Sequence, residues 1–415
     1  MGSGLFKKDF TLVVIGQIIS LFGNAAIRFA MPLYLLNETG SSALFGTVTA
    51  CAFIPAILLS PVGGIIADRV NKRNIMVILD FLTSIVILIF SLLLGRVELI
   101  VLVAVTMMFL YGIAGAYQPS VQASIPALVS QDNIMAANSV INTINSFSSL
   151  TGPVIGGILY SAYGLKPVLY VCIACFFVSA VMEIFIKIPF KKQAQDGSIL
   201  HIAKEDLLRG LDFIRKDQPV IGKVLIITCG LNLFLAAMIV TGMPYIITEV
   251  LMPGSLQANK LCGYAEGALA AGGLAGGIFA GVFAGKLSVK KAGMLLTGCA
   301  LSIFPVSIAL VLPFPGITSY IIMAVCFFII MVLSTIFTIQ MLSFVQSVTP
   351  QDLTGKVMAV ILAGSMCSQP LGNALYGIFF EICKGYEFAV ILFAGVTSLI
   401  VAISSKNIFK KYDVE

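Results

Sequence analysis

Long apolar runs alternate with short polar segments along the whole chain, and this pattern predicts helices that cross a lipid bilayer. Each run has about 20 residues or more, the length that an α-helix needs to cross a hydrocarbon core of roughly 30 Å. Backbone N–H and C=O groups in lipid must bond within the protein, so such runs fold as helices. Breaking the chain at clusters of charged and turn-forming residues gives twelve spans, near 10–36, 43–67, 74–95, 98–127, 134–162, 167–188, 221–249, 262–286, 290–312, 317–347, 355–383 and 386–408.

The composition supports the membrane interpretation. Hydrophobic residues make up 59% of the 415 positions and charged residues 11%, whereas soluble domains carry about 25% charged residues. The first apolar run is too long for a secretory signal peptide and has no small-residue cleavage site, so we expect it to remain as a span. A transmembrane β-barrel would show alternating segments of roughly ten residues, and the sequence has none. We therefore predict an all-α integral membrane protein.

The positive charges indicate how the chain is oriented. Twenty of the 25 lysine and arginine residues fall in loops and chain ends on one side of the predicted spans, and four fall on the other. Short cytoplasmic loops carry an excess of lysine and arginine, so we expect both chain ends in the cytoplasm and the protein in the plasma membrane. This bias accounts for the net charge of +6, and no nucleic-acid partner is expected.

The chain divides near its midpoint. The longest polar stretch separates the first six spans from the last six, and its leucines and isoleucines recur at helical spacing. We predict an N-terminal six-helix bundle at 1–188, a cytoplasmic linker with an amphipathic helix at 189–220, and a C-terminal six-helix bundle at 221–415.

The two halves also share weak internal similarity. A shift of 220 residues aligns Gly157 with Gly377, and a shift of 217 aligns Gly64 with Gly281. Parallel repeats of this kind occur in transporters whose halves are related by an axis along the membrane normal. This architecture is expected to place a substrate cavity between the halves, with access alternating between the two sides of the membrane.

A charged loop joins spans two and three, with the sequence Gly-Ile-Ile-Ala-Asp-Arg-Val-Asn-Lys-Arg at 64–73. Its glycine permits another helix to approach closely, and its carboxylate can meet the positive end of a helix. We interpret the loop as a cytoplasmic latch that is closed in only one transport state. The alternative is an ordinary positively charged loop that contains an acid. We assign to the latch Gly64, Asp68, Arg69, Arg73 and, from the same charge network, Asp80.

This loop resembles the signature of the major facilitator superfamily, G-x-x-x-D-R/K-x-x-R/K-R/K, whose key positions are filled by Gly64, Asp68, Arg69, Lys72 and Arg73. The second-half copy keeps the glycine and a lysine but has Gly285 at the acidic position. The resemblance covers the whole chain. It implies a transporter of twelve transmembrane helices in two pseudo-symmetric six-helix bundles.

Span five carries residues that favour close packing and a bend, namely Gly152, Pro153, Gly156 and Gly157. The segment resembles the antiporter signature of exporters in the superfamily, although Ser148 stands where an earlier glycine is usual. The alternative is that these glycines serve packing alone. The chain also resembles the branch of macrolide-efflux and siderophore-export proteins, over 31–41, 119–129, 131–132 and 205–215. It departs from many members of that branch at Asn24 and Val121, where they carry an acid and a basic residue.

Two polar stripes run along apolar helices. In span one the stripe is spaced by three, four and four residues, and in span five by four, three and four. Polar side chains at lipid depth face a cavity or another helix, and hydrogen bonding between helices is the alternative to substrate binding. With two residues from later spans, the predicted substrate-cavity residues are Gln17, Asn24, Arg28, Asn138, Asn142, Asn145, Asn232 and Thr338.

Ionisable groups inside predicted spans are the sharper signal, because a charge at that depth is costly unless it has a partner. We hypothesise that Glu266 binds and releases the coupling proton, and that Arg28 is its counter-ion or anchors an anionic substrate. The alternative places Glu266 at the outer interface with no such role. Glu183 and Lys187 stand four residues apart and are expected to pair with each other.

The sequence shows no P-loop, no metal-ligand cluster and no serine–histidine arrangement, so we expect neither an enzyme nor a cofactor. We predict a monomeric secondary transporter that exports small amphiphilic or lipophilic compounds, macrolide or drug-like, as a proton antiporter of the multidrug-resistance type. The alternatives are a lysophospholipid or siderophore translocator, an uptake symporter and, more distantly, a membrane receptor that transports nothing. The expected partners are a small-molecule substrate, a proton and the lipid bilayer.

Overall fold

The computed structural model describes residues 6–130, 133–188, 199–282 and 291–409, without the side chains of 60–69, 135, 199–207, 256, 351–352, 359 and 407–409. The described backbone forms thirteen helices and no strand. In chain order they are α1 (Lys8–Thr39), α2 (Ser42–Arg69), α3 (Lys72–Leu93), α4 (Leu99–Leu128), α5 (Ile134–Tyr163), α6 (Leu165–Ile184), α7 (Ile199–Lys216), α8 (Pro219–Leu251), α9 (Leu256–Val282), α10 (Ala292–Val311), α11 (Gly316–Val348), α12 (Gln351–Ile382) and α13 (Glu387–Phe409).

Ten helices within the described ranges are long and apolar enough to cross a membrane, namely all except α5, α7 and α12. The helices α5 and α12 have 30 and 32 residues, but polar residues such as Asn142 and Asn373 lower their hydropathy. The twelve helices other than α7 correspond to the twelve predicted spans. The predicted all-α membrane fold is therefore confirmed.

The helices form two compact units, and each has its own core. The first unit contains Met1–Thr39, Cys51–Ile199 and Asn259–Tyr264, and the second contains Gly40–Ala50, Leu200–Ala258 and Ala265–Glu415. The first residues of α2, 42–50, and the segment 259–264 of α9 thus belong to a different unit from the rest of their helices. The bundle boundaries placed at 188 and 221 from the sequence stay a prediction.

The core of the first unit forms around α1, which packs against α4, α5 and α6, while α3 packs against α4 and α6. Phe10 and Val13 of α1 meet Met76 of α3 and Val121 and Ile125 of α4 in one buried apolar cluster. These side chains recur at the three- and four-residue spacing that places them on one face of each helix. This packing brings the polar residues of α1 against α3, α4 and α6.

The core of the second unit includes the helix that follows the chain's midpoint. Phe213 and Ile214 of α7 are buried against α8 and the ends of α11 and α12, whereas Leu208 and Leu211 on the same helix are exposed. Gly210 lets α7 approach the backbone carbonyl of Lys356 on α12. The part of the predicted linker at 189–198 lies outside the described residues.

Candidate functional site

The polar residues of α1 lead to a buried hydrogen-bonded network in the first unit. The Nε2 group of Gln17 donates to the hydroxyl of Tyr117 on α4 at 2.6 Å, and that hydroxyl donates to Oε1 of Glu183 on α6 at 2.8 Å. One turn along α1, the hydroxyl of Ser20 donates to Oδ1 of Asp80 on α3 at 3.2 Å. None of the five side chains is more than 6% exposed. We call these five residues the acid network.

Small residues let α1 and α6 approach closely enough to bury this network. A Cβ added at Gly16 would lie 3.4 Å from Oγ of Ser179, and one added at Gly23 would lie 3.1 Å from Cβ of Cys175. Ser179 donates to the carbonyl of Gly16 at 3.2 Å, and the thiol of Cys172 donates to the carbonyl of Gly23 at 3.4 Å. The two cysteines are free and serve as packing residues here.

Neither carboxylate of the acid network forms an ion pair within the described part of the chain. The predicted pair between Glu183 and Lys187 is wrong, because the Glu183 carboxylate is fully buried against Tyr117. Spacing of four residues joins two side chains only on a continuous helix, and α6 ends at Ile184. Beyond that end, the backbone N–H of Lys187 donates to the carboxylate of Asp9 at 2.9 Å.

A small cavity of about 20 Å³ lies beside Asp80. A water molecule needs a cavity of roughly 10–15 Å³. This cavity therefore has room for a water molecule and is too small for an organic substrate. Asn24, a predicted cavity residue on α1, is half-buried and lines this space. The polar residues of the lining are Ser20, Asn24, Asp80, Thr83, Tyr117 and Gln118.

Arg28 lies one turn beyond Asn24 on α1 and rests on an aromatic ring. Its guanidinium carbon is 3.8 Å from the ring centroid of Tyr111 on α4, and Tyr111 meets Phe53 edge-to-face at 5.0 Å. Cation–π attraction of this kind contributes about 2 kcal/mol or more when the groups are removed from water. No carboxylate contacts Arg28 among the described residues, and its Nε group is buried without a hydrogen bond.

Glu266 lies on α9 in the second unit, where it is half-buried. Its carboxylate has no hydrogen bond or ion pair to any residue that the structure describes. On the following turns of α9, glycines at 272 and 276 pack against the backbone carbonyls of Phe328 and Val332 on α11. Arg28 and Glu266 belong to different units, and their role as counter-ions stays a prediction.

The polar stripe of α5 makes local hydrogen bonds. Asn138 and Asn142 are exposed and Asn145 is half-buried, and Nδ2 of Asn138 donates to the carbonyl of Ile134 on its own helix at 3.0 Å. Thr338 on α11 is also exposed and bonds within its own helix. These side chains keep unused acceptor groups, so a substrate role for them stays a prediction.

Asn232 occupies an irregular part of α8. It begins a π-helical stretch, Asn232–Ala236, and its Nδ2 group donates to the carbonyl of Ser365 on α12 at 3.2 Å. A second π-helical stretch closes the helix at Ile246–Leu251. Such stretches are rare and often occur at functional sites. The first one brings a predicted cavity residue against the backbone of α12.

The antiporter-like segment packs α5 tightly against its neighbours. Gly152 and Gly156 face Ala25 and Ala26 of α1, and at Gly152 an added Cβ would overlap the Ala25 side chain. Gly157 faces the segment 259–264, and the carbonyl of Pro153 faces Gly263 of that segment. This segment therefore forms helix contacts, whereas a role for it in antiport stays a prediction.

The predicted latch can be followed only in part. The side chains of Asp68 and Arg69 and the surroundings of Gly64 are not described by the structure. The guanidinium of Arg73 donates to the carbonyl of Ile184 at the end of α6. Asp80 lies in the acid network, about two turns along α3 from Arg73, and its assignment to the latch stays a prediction.

Tyr117 and Glu183 are functional candidates that the sequence did not predict. Glu183 carried a signal, since it is the one acid in the apolar helix α6. A lysine four residues later offered a local explanation for it. Tyr117 carried no signal, because a tyrosine in an apolar helix is commonly part of the core.

Comparison with known proteins gives relatives for this chain. Residues 13–373 match the Major Facilitator Superfamily. The chain is 25% identical to Macrolide efflux protein A of Streptococcus pyogenes over 185 residues, which are 44% of this chain and 46% of that protein. It is 27% identical to Multidrug resistance protein MdtG of Enterobacter lignolyticus over 216 residues, 50% of this chain and 48% of that protein. The matched stretch thus spans about half the length of these two relatives.

Other relatives match over almost the whole chain. The Uncharacterized MFS-type transporter YfiS of Bacillus subtilis is 24% identical over 390 residues, 90% of this chain and 87% of that protein. Among solved structures, the nucleoside transporter NupG has a TM-score of 0.78 at 12% identity and covers 98% of this chain and 100% of its own. A bacterial homologue of the iron transporter ferroportin has a TM-score of 0.71 at 15% identity, with 95% and 98% covered. At such identities the structural likeness concerns the fold alone, but the sequence match extends over most of the chain. The chain is therefore a multi-pass membrane transporter that belongs to the major facilitator superfamily.

Proposed function

We propose that the protein exports small amphiphilic or lipophilic organic compounds across the plasma membrane by alternating access, in exchange for protons. The observation that carries this proposal is Glu266, a half-buried carboxylate on a membrane helix with no described partner. Ionisable groups at lipid depth are costly and mark the paths of substrates and protons. The names of the macrolide efflux and MdtG relatives support export of drug-like compounds.

Arg28 and Tyr111 are the strongest candidates for substrate contact. Together they offer a cation and an aromatic surface in one place, which suits a ligand with a polar and an apolar part. Asn24, Asn138, Asn142, Asn145, Asn232 and Thr338 would add amide and hydroxyl groups. Gln17 has a different role in this scheme, because its side chain is fully buried and donates a hydrogen bond to the hydroxyl of Tyr117.

Coupling would use the two charge states of Glu266. The protonated side chain is neutral and tolerates an apolar environment, whereas the carboxylate attracts a cationic substrate or a counter-ion. Proton binding and substrate binding would then exclude each other, as antiport requires. In this scheme Arg28 is the counter-ion of Glu266 when Glu266 has bound neither a proton nor a substrate.

Translocation of an anionic lipid or siderophore is the second candidate. It is favoured by Arg28, whose guanidinium rests on Tyr111 and contacts no carboxylate among the described residues. A guanidinium in that state can bind a phosphate or carboxylate group of a substrate. The substrate class that Arg28→Gln affects would separate the two candidates.

Transport into proteoliposomes under an imposed pH gradient tests the proposal, with macrolides, cationic dyes, siderophores and lysolipids as the panel. We expect proton-dependent movement of one class, which Glu266→Gln abolishes because glutamine cannot bind and release a proton. Glu98→Gln is the matched control, since Glu98 is an exposed acid at the start of α4. Proton-driven transport that persists in Glu266→Gln would exclude Glu266 as the coupling site. Absence of transport for every class would contradict the proposed function.

Orientation and assembly complete the proposal. The distribution of lysine and arginine supports cytoplasmic chain ends, and we propose a monomer. We propose that Gly64, Asp68, Arg69 and Arg73, with Asp80 in the same charge network, act as the cytoplasmic latch.

A further inference from the structure

We infer that Asp80 and Glu183 form a second proton-binding site, bridged by Ser20 and Tyr117, and that a proton held there contributes to driving export. The link to export rests on the proposed function. The binding of a proton, in contrast, depends only on the acid network of the first unit. Neither carboxylate binds the coupling proton in the transport scheme given above.

Hydrogen-bond donors are too few within the acid network. Gln17 gives a hydrogen to Tyr117, Tyr117 gives one to Glu183, and Ser20 gives one to Asp80. Three buried acceptors remain without a donor, namely Oε1 of Gln17, Oδ2 of Asp80 and Oε2 of Glu183. A buried acceptor left without a donor costs about 1–3 kcal/mol, and more when it is charged. A proton bound by either carboxylate supplies a donor and removes a charge.

Two further hydroxyls beside Asp80 do not correct this shortage, and that of Thr83 donates to the carbonyl of Leu79 at 2.8 Å. Ser179 of α6 lies next to the Asp80 carboxylate, but its hydrogen is given to the carbonyl of Gly16 at 3.2 Å. The Gln17 amide oxygen is an independent sign of the same shortage, because it belongs to a neutral side chain that is 0% exposed. The network therefore lacks at least one hydrogen-bond donor, which a proton on one of its carboxylates would supply.

Charged groups on the surrounding helices do not compensate the two carboxylates. Among the described residues of α1, α3, α4, α5 and α6, the cations near the network are bound elsewhere: Arg73 to the carbonyl of Ile184, and Arg28 to the ring of Tyr111. The helices α4 and α5 contain no charged residue. The remaining charged or titratable groups on these five helices are Lys8, Asp9, Tyr34, Glu38, Lys72, Tyr160, Tyr163, Lys166, Tyr170, Cys172 and Cys175.

Two hydroxyls connect the carboxylates and can pass a proton between them. The Ser20 hydroxyl lies near the Tyr117 hydroxyl as well as Asp80. When Asp80 is protonated, its hydrogen can move to Ser20, the Ser20 hydrogen to Tyr117, and the Tyr117 hydrogen to Glu183. Each hydroxyl then loses one hydrogen and gains another, so one proton moves from Asp80 to Glu183 with nothing else changed. The Tyr117 hydrogen bond seen in the structure already points toward Glu183.

The geometry favours a proton over a metal ion. Metal ions such as calcium take six to eight oxygen ligands at once. Within the part of the chain that the structure describes, no group of three or more histidine, cysteine or acidic residues could hold a metal. The cavity of about 20 Å³ is lined by Asp80 and not by Glu183, so one ion in it would not reach both acids.

Infrared spectroscopy of the purified full chain in lipid nanodiscs, without substrate, tests the inference. The C=O stretching band of protonated carboxyl groups is followed as a function of pH. We expect wild type to show such a band, and the double variant Asp80→Asn, Glu183→Gln to lose the part that these acids contribute. Each single variant, which keeps the shape of its side chain, is expected to shift the midpoint of the titration. Glu98→Gln is the control and should match wild type.

The outcomes separate this inference from the proposed function. A band that is identical in wild type, both single variants and the double variant would overturn the proton site, whatever the protein transports. A titration that shifts when sodium replaces potassium would also overturn it, in favour of a metal ion. Tyr117→Phe should leave both acids in place and slow the exchange of the band in deuterium oxide. Loss of the band in the double variant, combined with no transport by wild type, would keep the proton site and reject the proposed function.

Discussion

Among the described residues, each unit contains one place where two glycines bring helices into backbone contact. In the first unit, Gly157 of α5 meets Gly263 of α9, and a Cβ added at Gly157 would lie 2.9 Å from the carbonyl oxygen of Asn259. In the second unit, Gly377 of α12 meets Gly46 of α2, and a Cβ added at Gly377 would lie 2.6 Å from the carbonyl oxygen of Ser42. We call these the first and second glycine contacts.

The two contacts correspond residue by residue under the internal repeat. The shift of 220 residues relates Gly157 to Gly377, and the shift of 217 relates Gly46 to Gly263. The carbonyl that faces the second glycine of each pair also corresponds, since Pro153 faces Gly263 and Asn373 faces Gly46. The repeat therefore preserves a contact that only glycine allows.

The polar groups beside the contacts differ. At the first contact, Nδ2 of Asn37 donates to the hydroxyl of Tyr160 at 3.0 Å and to Oδ1 of Asn259 at 2.7 Å, so every partner is neutral. At the second, one carboxylate, that of Glu381, accepts hydrogen bonds from the start of α2: Ser41 at 2.9 Å, Ser42 at 3.4 Å and the Ala43 N–H at 3.3 Å. The close approach of the two backbones requires glycine at these positions. The polar groups beside the glycines are not restricted in this way, so they differ between the two contacts.

The glycines should give the largest effect. We expect Gly157→Val and Gly377→Val each to lower the free energy of unfolding by about 1–3 kcal/mol, because the new side chain would overlap a backbone carbonyl. Gly277→Val on α9 is the control, since nothing lies within 4 Å of an added Cβ there, and it should stay within about 0.5 kcal/mol of wild type. Thermal unfolding followed by circular dichroism measures all three. An equal loss at Gly277 would show that helix substitution alone, and not the contact, is responsible.

The neutral cluster should give an intermediate effect. Asn37→Ala removes the donor for both Tyr160 and Asn259, and we expect a loss of about 1–2 kcal/mol because buried acceptors are left unpaired. Asn138→Ala, which loses only a bond to its own exposed helix, should be nearly neutral. The loss for Asn37→Ala should not change with pH. A strong pH dependence would mean that an ionised group also takes part in the first contact.

The carboxylate should give the smallest effect. We expect Glu381→Gln to lose about 0.5 kcal/mol, since Glu381 is exposed and water competes for its hydrogen bonds. The difference between wild type and Glu381→Gln should vanish in acid, because a protonated Glu381 loses the same charge that the variant lacks. Unfolding measured at several pH values tests this. A difference that persists in acid would assign the effect to side-chain shape and not to charge.

Much of the fold could be predicted from the sequence, because span length and the polar segments between spans are local properties. The partner of each helix face could not, since helical spacing defines a face without saying which helix meets it. The repeat aligned Gly157 with Gly377, yet the glycines opposite them could not be chosen without the positions of α2 and α9.

The acid network shows the same limit. Asp80 and Glu183 each had a local explanation in the sequence, the charged loop for Asp80 and Lys187 for Glu183. Their meeting depends on α3 and α6 packing side by side with α1, and on α6 ending at Ile184. Gln17 and Ser20 could be predicted as one polar face of α1, but their bonding partners could not.

The glycine contacts also restrict how this chain can change during evolution. The atoms that face each missing Cβ are backbone atoms, which no substitution in the partner helix can make smaller. A larger residue at either glycine therefore cannot be compensated by a smaller residue on the partner helix. The two positions of a contact cannot be substituted together, as two facing side chains can. The side chains beside them can be exchanged one at a time, which leaves that part of each unit open to new hydrogen-bonding chemistry while the helix spacing is inherited unchanged.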